Sequence, residues 1–251
     1  LLSPNVLSTV TIPDSVVTIG EYAFHRAQVS SLELGTGVQD IGISAFRGGS
    51  ISTLDLKNVR SIGRAAFADH NLADLTVPAT VTTIGAAAFS GNPLSNVRFA
   101  GPSPAITGAA AAEPSFGSNP TLNFLWSYGE SAGVSGGYTV PTWQGYRTVA
   151  WAIVTFELQN GQAPFRTSVQ VGQPVGPIGL AGGGPVITGW YTDLATTTLC
   201  DFSKPVTGDL TLYAGWQVES HTVAFDSDGG TAVSPSPATV PHGHPVPQPD
   251  V

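Results

Sequence analysis

One apolar pattern returns four times within the first hundred residues of the chain. A valine stands three positions before an Ile-Gly pair, and an Ala-Phe pair begins three positions after the glycine. The copies start at Val16, Val38, Val59 and Val81 and end at Phe24, Phe46, Phe67 and Phe89. Successive phenylalanines are therefore 22, 21 and 22 residues apart. A repeat of this length is typical of a solenoid, in which every unit buries its apolar side against its neighbours.

A second apolar pattern lies between these copies and predicts one short strand in each unit. It has the form Leu-x-x-Val-x-Ile at residues 7–12 and returns at 29–34, 51–56, 72–77 and 94–99. The last three positions alternate apolar, polar and apolar, as in a strand with one buried face. The glycine after each isoleucine indicates a positive φ or a tight turn. The Ala-Phe step predicts one turn of helix that places the aromatic ring in the core.

The repeat pattern weakens after residue 101. Ile106 continues the isoleucine column, but Phe116 comes five residues later than the period requires. Glycines and aromatic residues then dominate residues 127–150. Because a repeat array needs an atypical end unit to cover its core, we expect residues 102–150 to form a degenerate last repeat and a C-terminal cap.

A different module begins near residue 151. Val154 to Phe156 leads into Asn160-Gly161, which predicts a strand that runs into a hairpin turn. The same opening returns at Val223 to Phe225, 223 − 154 = 69 residues later. We therefore expect one complete repeat at residues 151–217 and the start of a second, truncated repeat at 218–251. The chain is interpreted as a piece of a longer polypeptide.

With these residues in view, two families can be named. The first pattern resembles the BspA-like, Treponema pallidum-type leucine-rich repeats, whose unit runs roughly L-x-x-V-x-I-P-x-S-V-x-x-I-G-x-x-A-F. Leu7 to Phe24 follows this unit throughout. The second module resembles the Listeria–Bacteroides repeat, also called the internalin B-repeat, through Gly189 to Asp193, Asp201 to Thr207 and Leu210 to Tyr213. Cys200 departs from that pattern, because an aromatic residue is common there.

The two resemblances imply a fold and a general function. The fold class is a β-rich α+β chain, with a leucine-rich-repeat solenoid over residues 1–101 followed by a small β-grasp-like repeat domain. The implied protein is bacterial and extracellular, at the cell surface or associated with the cell wall. Its solenoid presents an adhesive or ligand-binding face, and the second module is a spacer or stalk. Neither family brings catalytic residues, so we expect no enzyme and no cofactor.

Composition and charge remove several function classes. The 251 residues are 41% hydrophobic, which is enough for real cores, and only 10% are charged, against roughly 25% in ordinary soluble domains. The net charge is −8 and no basic cluster is visible, so nucleic acid is not expected as a partner. No apolar run approaches the roughly 18 residues of a membrane span, so we expect no direct membrane insertion of this fragment. Cys200 is the single cysteine and is expected to be a packed, inert thiol.

The outward positions of the predicted strands supply the candidate binding surface. Strands of a leucine-rich solenoid stack about 4.8 Å apart, so these positions form two rows across the concave face. The Thr11 row contains Thr11, Glu33, Asp55, Thr76 and Arg98, and the Thr9 row contains Thr9, Ser31, Thr53, Asp74 and Asn96. The candidate ligand-binding residues are the whole Thr11 row together with Asp74. This surface is either a solvated face without a ligand or an acidic, hydroxyl-rich patch for a basic protein segment, a cation or a sugar.

Aromatic and histidine residues give further candidates. Trp143 and Tyr146 lie in the expected cap and are the candidate glycan contact, because aromatic faces stack on the apolar faces of sugars. His70 is expected on a loop surface. His242 and His244 have the spacing of metal ligands but lie in a proline-rich tail, so no metal site is assigned.

Three functions remain open at this point. The first is adhesion to an extracellular protein through the concave face, with affinity spread over many modest contacts. The second is glycan recognition by the cap aromatics. The third is a non-catalytic appendage of a larger secreted enzyme whose active domain lies beyond the ends of this chain. Substitution of the acidic row separates the first two, and the gene beyond either terminus settles the third.

Overall fold

The computed structural model describes residues 7–107, 114–117, 120–129, 137–144, 146–176, 186–217, 219–226, 228–230, 237–241 and 245–246. Of these residues, only Trp126–Tyr128 form a helix, a single 3-10 turn. The β-rich class predicted from the sequence is therefore confirmed, whereas the helical part of the α+β expectation is not found in the described chain. The residues separate into two compact units. The first contains the described residues up to Ile153 with Ser168–Gln173 and Pro205–Asp209, and the second contains Val154–Thr167, Pro174–Lys204 and the described residues from Leu210 onward.

The first unit is a β-solenoid with two strips of short strands. The first strip consists of β1 (Thr9–Thr11), β3 (Ser31–Glu33), β6 (Asp74–Val77), β8 (Asn96–Phe99) and β10 (Thr121–Leu125). The second strip consists of β2 (Thr18–Ile19), β4 (Asp40–Ile41), β5 (Ser61–Ile62), β7 (Thr83–Gly85) and β9 (Ala105–Thr107). Paired strands are parallel and one coil apart, so each residue lies beside its counterpart in the next repeat.

The first strip is the strand that the sequence predicted, and the second strip is an addition. In the first strip the expected alternation holds: Leu75 and Val77 are buried while Asp74 and Thr76 are exposed. Residues 51–56 keep the same alternation without a strand assignment. The second strip follows the isoleucine column, where Ile19, Ile41, Ile62 and Ile84 point inward. The sequence analysis missed it because two residues are too few to show a period of two.

The Ala-Phe segments form a third strip, which contains turns where a helix turn was expected. The amide of Ala66 donates to the carbonyl of Gly63 at 3.2 Å, a three-residue spacing that closes one turn and is not continued. A positive φ follows two residues after each glycine, at Tyr22, Ser44, Ala65 and Ala87. A right-handed helix cannot pass through such a residue. The expectation of a helical turn was therefore wrong, although the aromatic ring does enter the core.

The glycine column serves close approach between coils and does not supply the expected positive φ. A Cβ on Gly63 would lie 2.6 Å from the carbonyl carbon of Gly42, and one on Gly85 would lie 2.5 Å from the amide nitrogen of Arg64. Neither glycine is among the residues with positive φ. The turn strip therefore packs main chain against main chain, which only glycine permits at this position.

A stack of phenylalanine rings runs along the core of the solenoid. Neighbouring rings of Phe24, Phe46, Phe67, Phe89 and Phe116 are nearly parallel, with centroids 5.0, 5.4, 5.7 and 5.8 Å apart. Phe116 thus rejoins the column in spite of its late position in the sequence. The amide of Phe89 donates to the carbonyl of Ser115 at 2.7 Å, as the amide of Phe67 does to Ala88 at 2.8 Å. The insertion before Phe116 therefore lengthens a loop and leaves the core in register.

Aromatic residues from the segment after β10 cover the last coil. Tyr138 is fully buried, with its ring 5.1 Å from Phe99 and 4.7 Å from Phe124 between centroids. β11 (Thr142–Trp143) pairs antiparallel with the start of β12 (Tyr146–Glu157) and carries Trp143 against Phe99 at 5.9 Å. These rings occupy the position that the sequence assigned to a cap, and the predicted boundaries of 102–150 stay a prediction.

The second unit is built from strands around an aromatic core. It contains β14 (Ile187–Tyr191) and β15 (Leu210–Trp216), which pair antiparallel, and Val154–Glu157 of β12 pairs parallel with β15. β13 (Phe165–Gln170) also pairs with β12. The rings of Phe156, Phe165 and Trp190 pack together within 4.6–5.9 Å between centroids. The β-grasp-like arrangement of this unit stays a prediction.

The strands expected at the start of a second copy also form a pair. β16 (Ser220–Val223) and β17 (Ala238–Pro241) are antiparallel and align Thr222 with Thr239. Phe165 + 71 = 236 and Gln170 + 71 = 241, so β17 corresponds to β13 of the first copy within two residues at its start. The division of the chain at residue 218 stays a prediction.

Candidate ligand-binding surface

The parallel register of the first strip sets the candidate residues side by side. β1 and β3 align Thr9 with Ser31 and Thr11 with Glu33. β6 and β8 align Asp74 with Asn96 and Thr76 with Arg98. Partners in such a sheet lie about 4.8 Å apart, and all of these side chains are exposed. The two rows deduced from the sequence are therefore present within each of these strand pairs.

The third coil interrupts the sheet, and Asp55 lies in that gap. Asp55 is exposed, and its Oδ1 accepts a hydrogen bond from the amide of Lys57 at 3.0 Å. No strand pairing joins Asp55 to Glu33 or to Thr76 among the described residues. The coil order still places Asp55 between those two residues. The direct contact of Glu33 with Asp55 that the sequence predicted stays a prediction.

Asp74 and Arg98 differ in how they are held. Asp74 Oδ1 accepts a hydrogen bond from Asn96 Nδ2 at 3.2 Å, so its carboxylate is fixed along its row. Arg98 has no ion-pair partner in the described part of the chain, where the salt bridge between Arg47 and Asp69 at 3.0 Å is the single one. The guanidinium of Arg98 is therefore available to a ligand.

A pocket lies at the end of the Thr11 row, and sequence reasoning missed it. It has a volume of about 190 Å³ and is lined by Arg98, Phe99, Asn123, Phe124, Leu125, Trp151 and Ser168. Asn123 is the register partner of Arg98, so it extends the Thr11 row by one coil. The irregular stretch after residue 101 hides this continuation, because Arg98 and Asn123 are 25 residues apart instead of 22.

The candidate glycan contact of Trp143 and Tyr146 lies in the core. Their side chains are 7% and 6% exposed, so little ring surface is open to a sugar. Tyr146 donates from its hydroxyl-bearing ring region to no solvent partner and instead accepts, through its Oη, a hydrogen bond from the amide of Phe116 at 3.0 Å. Burial raises the pKa of Tyr146, and it raises the pKa of Tyr138 further. Both rings act as neutral core residues at physiological pH.

His70 is buried, in contrast to the loop surface expected from the sequence. It is 3% exposed and serves two neighbouring coils. The amide of Ile51 donates to its Nδ1 at 3.2 Å, so Nε2 carries the hydrogen and donates to the carbonyl of Phe46 at 2.6 Å. Burial lowers the pKa of the imidazole, although the bond to Phe46 opposes this shift. Asn92 occupies the same place one repeat later and receives the amide of Leu72 at 3.0 Å.

The remaining candidates are quickly placed. Cys200 is half-buried, and burial raises the pKa of its thiol, with the nearby Asp201 acting in the same direction. His242 and His244 lie outside the described residues. No group of three histidine, cysteine, aspartate or glutamate residues that could hold a metal is found in the described ranges. None of the described helices is long enough and apolar enough to cross a membrane.

Comparison with known families confirms both resemblances drawn from the sequence. Residues 3–110 match the family model described as "BspA type Leucine rich repeat region", in six copies. Residues 153–215 match the "Listeria-Bacteroides repeat domain".

Two relatives come from the bacterium Evansella cellulosilytica. A "Putative Gly-rich membrane protein" is 35% identical over 83 residues, which are 32% of this chain and 10% of the relative. A "Putative membrane protein" is 45% identical over 47 residues, which are 18% of this chain and 7% of the relative. The chain therefore matches a tenth or less of the length of these relatives.

Proposed function

We propose that this chain, which carries BspA-type leucine-rich repeats followed by a Listeria-Bacteroides repeat, is a non-catalytic adhesion module of a bacterial surface protein. Both repeat families are typical of surface proteins with a protein-interaction role, and such repeat families are typically non-catalytic. In this proposal the solenoid binds an extracellular protein through the outward face of its first strip, which we take as the concave face. The second module serves as a spacer or stalk.

The observation that carries the proposal is the exposed pair of rows on a rigid sheet. Thr9 and Ser31, and Asp74 and Asn96, stand side by side on paired backbones, as do Thr11 and Glu33 in the neighbouring row. Most of these side chains are short, so little rotamer entropy is lost when a partner covers them. A broad, preorganised surface of this kind supports binding through many modest contacts.

Charge gives the surface a preferred partner. Glu33, Asp55 and Asp74 are exposed carboxylates, and Arg98 at the end of the row is the single cation among the row residues. Complementary charge favours a basic segment of a partner, and it raises the association rate more than the final affinity. Salt should therefore weaken binding through slower association.

The test uses two triple variants with the same change in charge. Glu33→Gln/Asp55→Asn/Asp74→Asn removes the carboxylates of the rows and keeps their shape. Glu21→Gln/Asp40→Asn/Glu219→Gln removes three other exposed carboxylates as the matched control. Both are compared with the unchanged chain on arrays of extracellular matrix proteins, at low salt and at roughly 0.5 M salt, where the Debye length is below about 8 Å.

We expect the first variant to lose protein binding and the control to retain it. The binding of the unchanged chain should weaken with added salt, and the remaining binding of the first variant should depend less on salt. Equal binding by both variants would contradict the proposed face. Absence of binding by the unchanged chain to every arrayed protein would instead favour a structural stalk or an appendage of a larger protein.

A further inference from the structure

The pocket at the end of the Thr11 row has the makings of a specific site. Its walls come from β8, β10 and β12 together with Ser168, all within the first unit. Phe99 and Phe124 are 1% and 2% exposed because their side chains enter the core, so they offer mainly backbone to the pocket. The side chains that remain at the surface are Arg98, Asn123 and Trp151, with the hydroxyl of Ser168. A guanidinium, an amide, an indole and a hydroxyl thus share one small cavity.

Arg98 supplies the charge of this pocket. It is exposed, and no carboxylate lies within ion-pair distance of it in the ranges that the structure describes. Its register partners are Thr76 on one side and Asn123 on the other, and both are uncharged. A guanidinium presents paired N–H donors that match the two oxygens of a carboxylate. The pocket therefore suits a carboxylate more than a neutral or cationic group.

Trp151 supplies a fixed aromatic wall. Its Nε1 donates to Asn123 Oδ1 at 2.9 Å, and Asn123 Nδ2 donates to the carbonyl of Thr121 at 3.3 Å. These two bonds hold the indole against rotation, since Asn123 is itself anchored to its own strand. The ring is only half-buried, so part of its surface is open to a ligand. A preorganised, partly exposed indole is suited to stacking on an apolar ligand face.

The volume limits the ligand to one ring. A pocket of about 190 Å³ has room for roughly six water molecules at about 30 Å³ each. Pockets for drug-sized ligands are larger, roughly 300–1,000 Å³. One hexose-sized ring suits the smaller volume, and its C–H face suits the indole while its hydroxyls suit Asn123 and Ser168.

We propose that this pocket binds a single sugar ring bearing a carboxylate, as in a uronic acid or a sialic acid at the end of a glycan. The carboxylate pairs with Arg98, and the apolar face of the ring stacks on Trp151. The site lies beyond the acidic residues of the rows and uses none of them. It therefore stands independently of the protein-binding function proposed above.

The test measures sugar binding to the full chain by nuclear magnetic resonance of the tryptophan indole N–H groups. The probes are methyl β-D-glucuronide and N-acetylneuraminic acid, with methyl β-D-glucoside as the neutral control and an acidic Glu-Glu peptide as the non-sugar carboxylate. Trp151→Phe assigns the Trp151 signal. Arg98→Gln removes the cation of the pocket, and Arg60→Gln removes another exposed arginine, outside the first strip, as the matched control.

We expect one of the acidic sugars to shift the Trp151 signal and to bind at least roughly tenfold more tightly than the glucoside, because a charge-assisted hydrogen bond is lost with the neutral sugar. Arg98→Gln should weaken acid-sugar binding by a similar factor, whereas Arg60→Gln should leave it unchanged. Binding of the peptide without either acidic sugar would overturn the proposal. So would equal affinities of Arg98→Gln and the unchanged chain, or no shift with either acidic sugar.

Discussion

At the scale of single residues, His70 shows how a buried polar side chain joins coils of the solenoid. It accepts from the amide of Ile51 and donates to the carbonyl of Phe46, so it satisfies main-chain groups that the strands leave open. Asn92 does the same with Leu72 and Phe67 through its amide. The sequence contained a signal for this role, since 70 + 22 = 92 places the two residues at one position of the repeat.

The first prediction concerns the pH dependence of stability through His70. Its pKa is lowered in the folded state because burial penalises the imidazolium. The unfolded chain therefore takes up a proton near pH 6.5 that the folded chain still refuses. Stability is complete above that pH and falls as the pH drops from about 6.5 toward the folded-state pKa. We expect the urea midpoint to decrease between pH 7.5 and pH 5.5.

His70→Asn provides the matched variant, because Asn92 shows that an asparagine makes the same two kinds of bond at this position. The variant should remain folded at neutral pH and lose part of the decrease in urea midpoint on acidification. Urea unfolding followed by circular dichroism at both pH values measures this difference. An unchanged decrease in the variant would show that other groups govern the acid sensitivity.

At the scale of elements, the glycines of the turn strip test how closely the coils approach. A Cβ at Gly63 would lie 2.6 Å from Gly42 and 2.7 Å from the amide of Ile43, both main-chain atoms that cannot rotate away. Gly20 occupies the same repeat position in the first described coil and has no atom within 4 Å of its Cβ position. The same residue type therefore meets two different environments.

We expect Gly63→Ala to destabilise the first unit by about 1–3 kcal/mol, the usual penalty of overpacking. Gly20→Ala should be neutral or stabilise by up to about 1 kcal/mol, because alanine restricts the unfolded chain. Free energies of unfolding from urea titration compare the two. Similar losses for both variants would mean that the glycine is needed for its own backbone conformation instead of close approach.

The sequence predicts the features that follow the repeat period and misses those that depend on contacts between coils. The phenylalanine column and the strand over residues 74–77 are visible because each places a buried residue at a fixed interval. The second strip is hidden, since Ser61–Ile62 has only one inward residue. The pocket is hidden as well, because the 25-residue step from Arg98 to Asn123 becomes a neighbour relation only through the parallel register.

At the scale of the whole molecule, the first unit behaves as a one-dimensional array whose coils stabilise their neighbours. Phe67 is fully buried and stacks on Phe46 at 5.4 Å and on Phe89 at 5.7 Å. Phe24 stacks on Phe46 at 5.0 Å and is half-buried. A ring in the middle of the column therefore has two stacking partners in the described structure, and the ring at Phe24 has one in the same stack.

This difference leads to the last prediction. Phe67→Ala should destabilise the first unit by about 3–5 kcal/mol, as expected for a phenylalanine removed from a close-packed core. Phe24→Ala should lose roughly half as much, because it leaves one coil interface intact and opens a smaller cavity. Urea unfolding followed by far-ultraviolet circular dichroism measures both losses on the full chain. Equal losses would show that the stability of the array does not follow nearest-neighbour contacts, and a larger loss for Phe24 would place the weakest interface at that end of the stack.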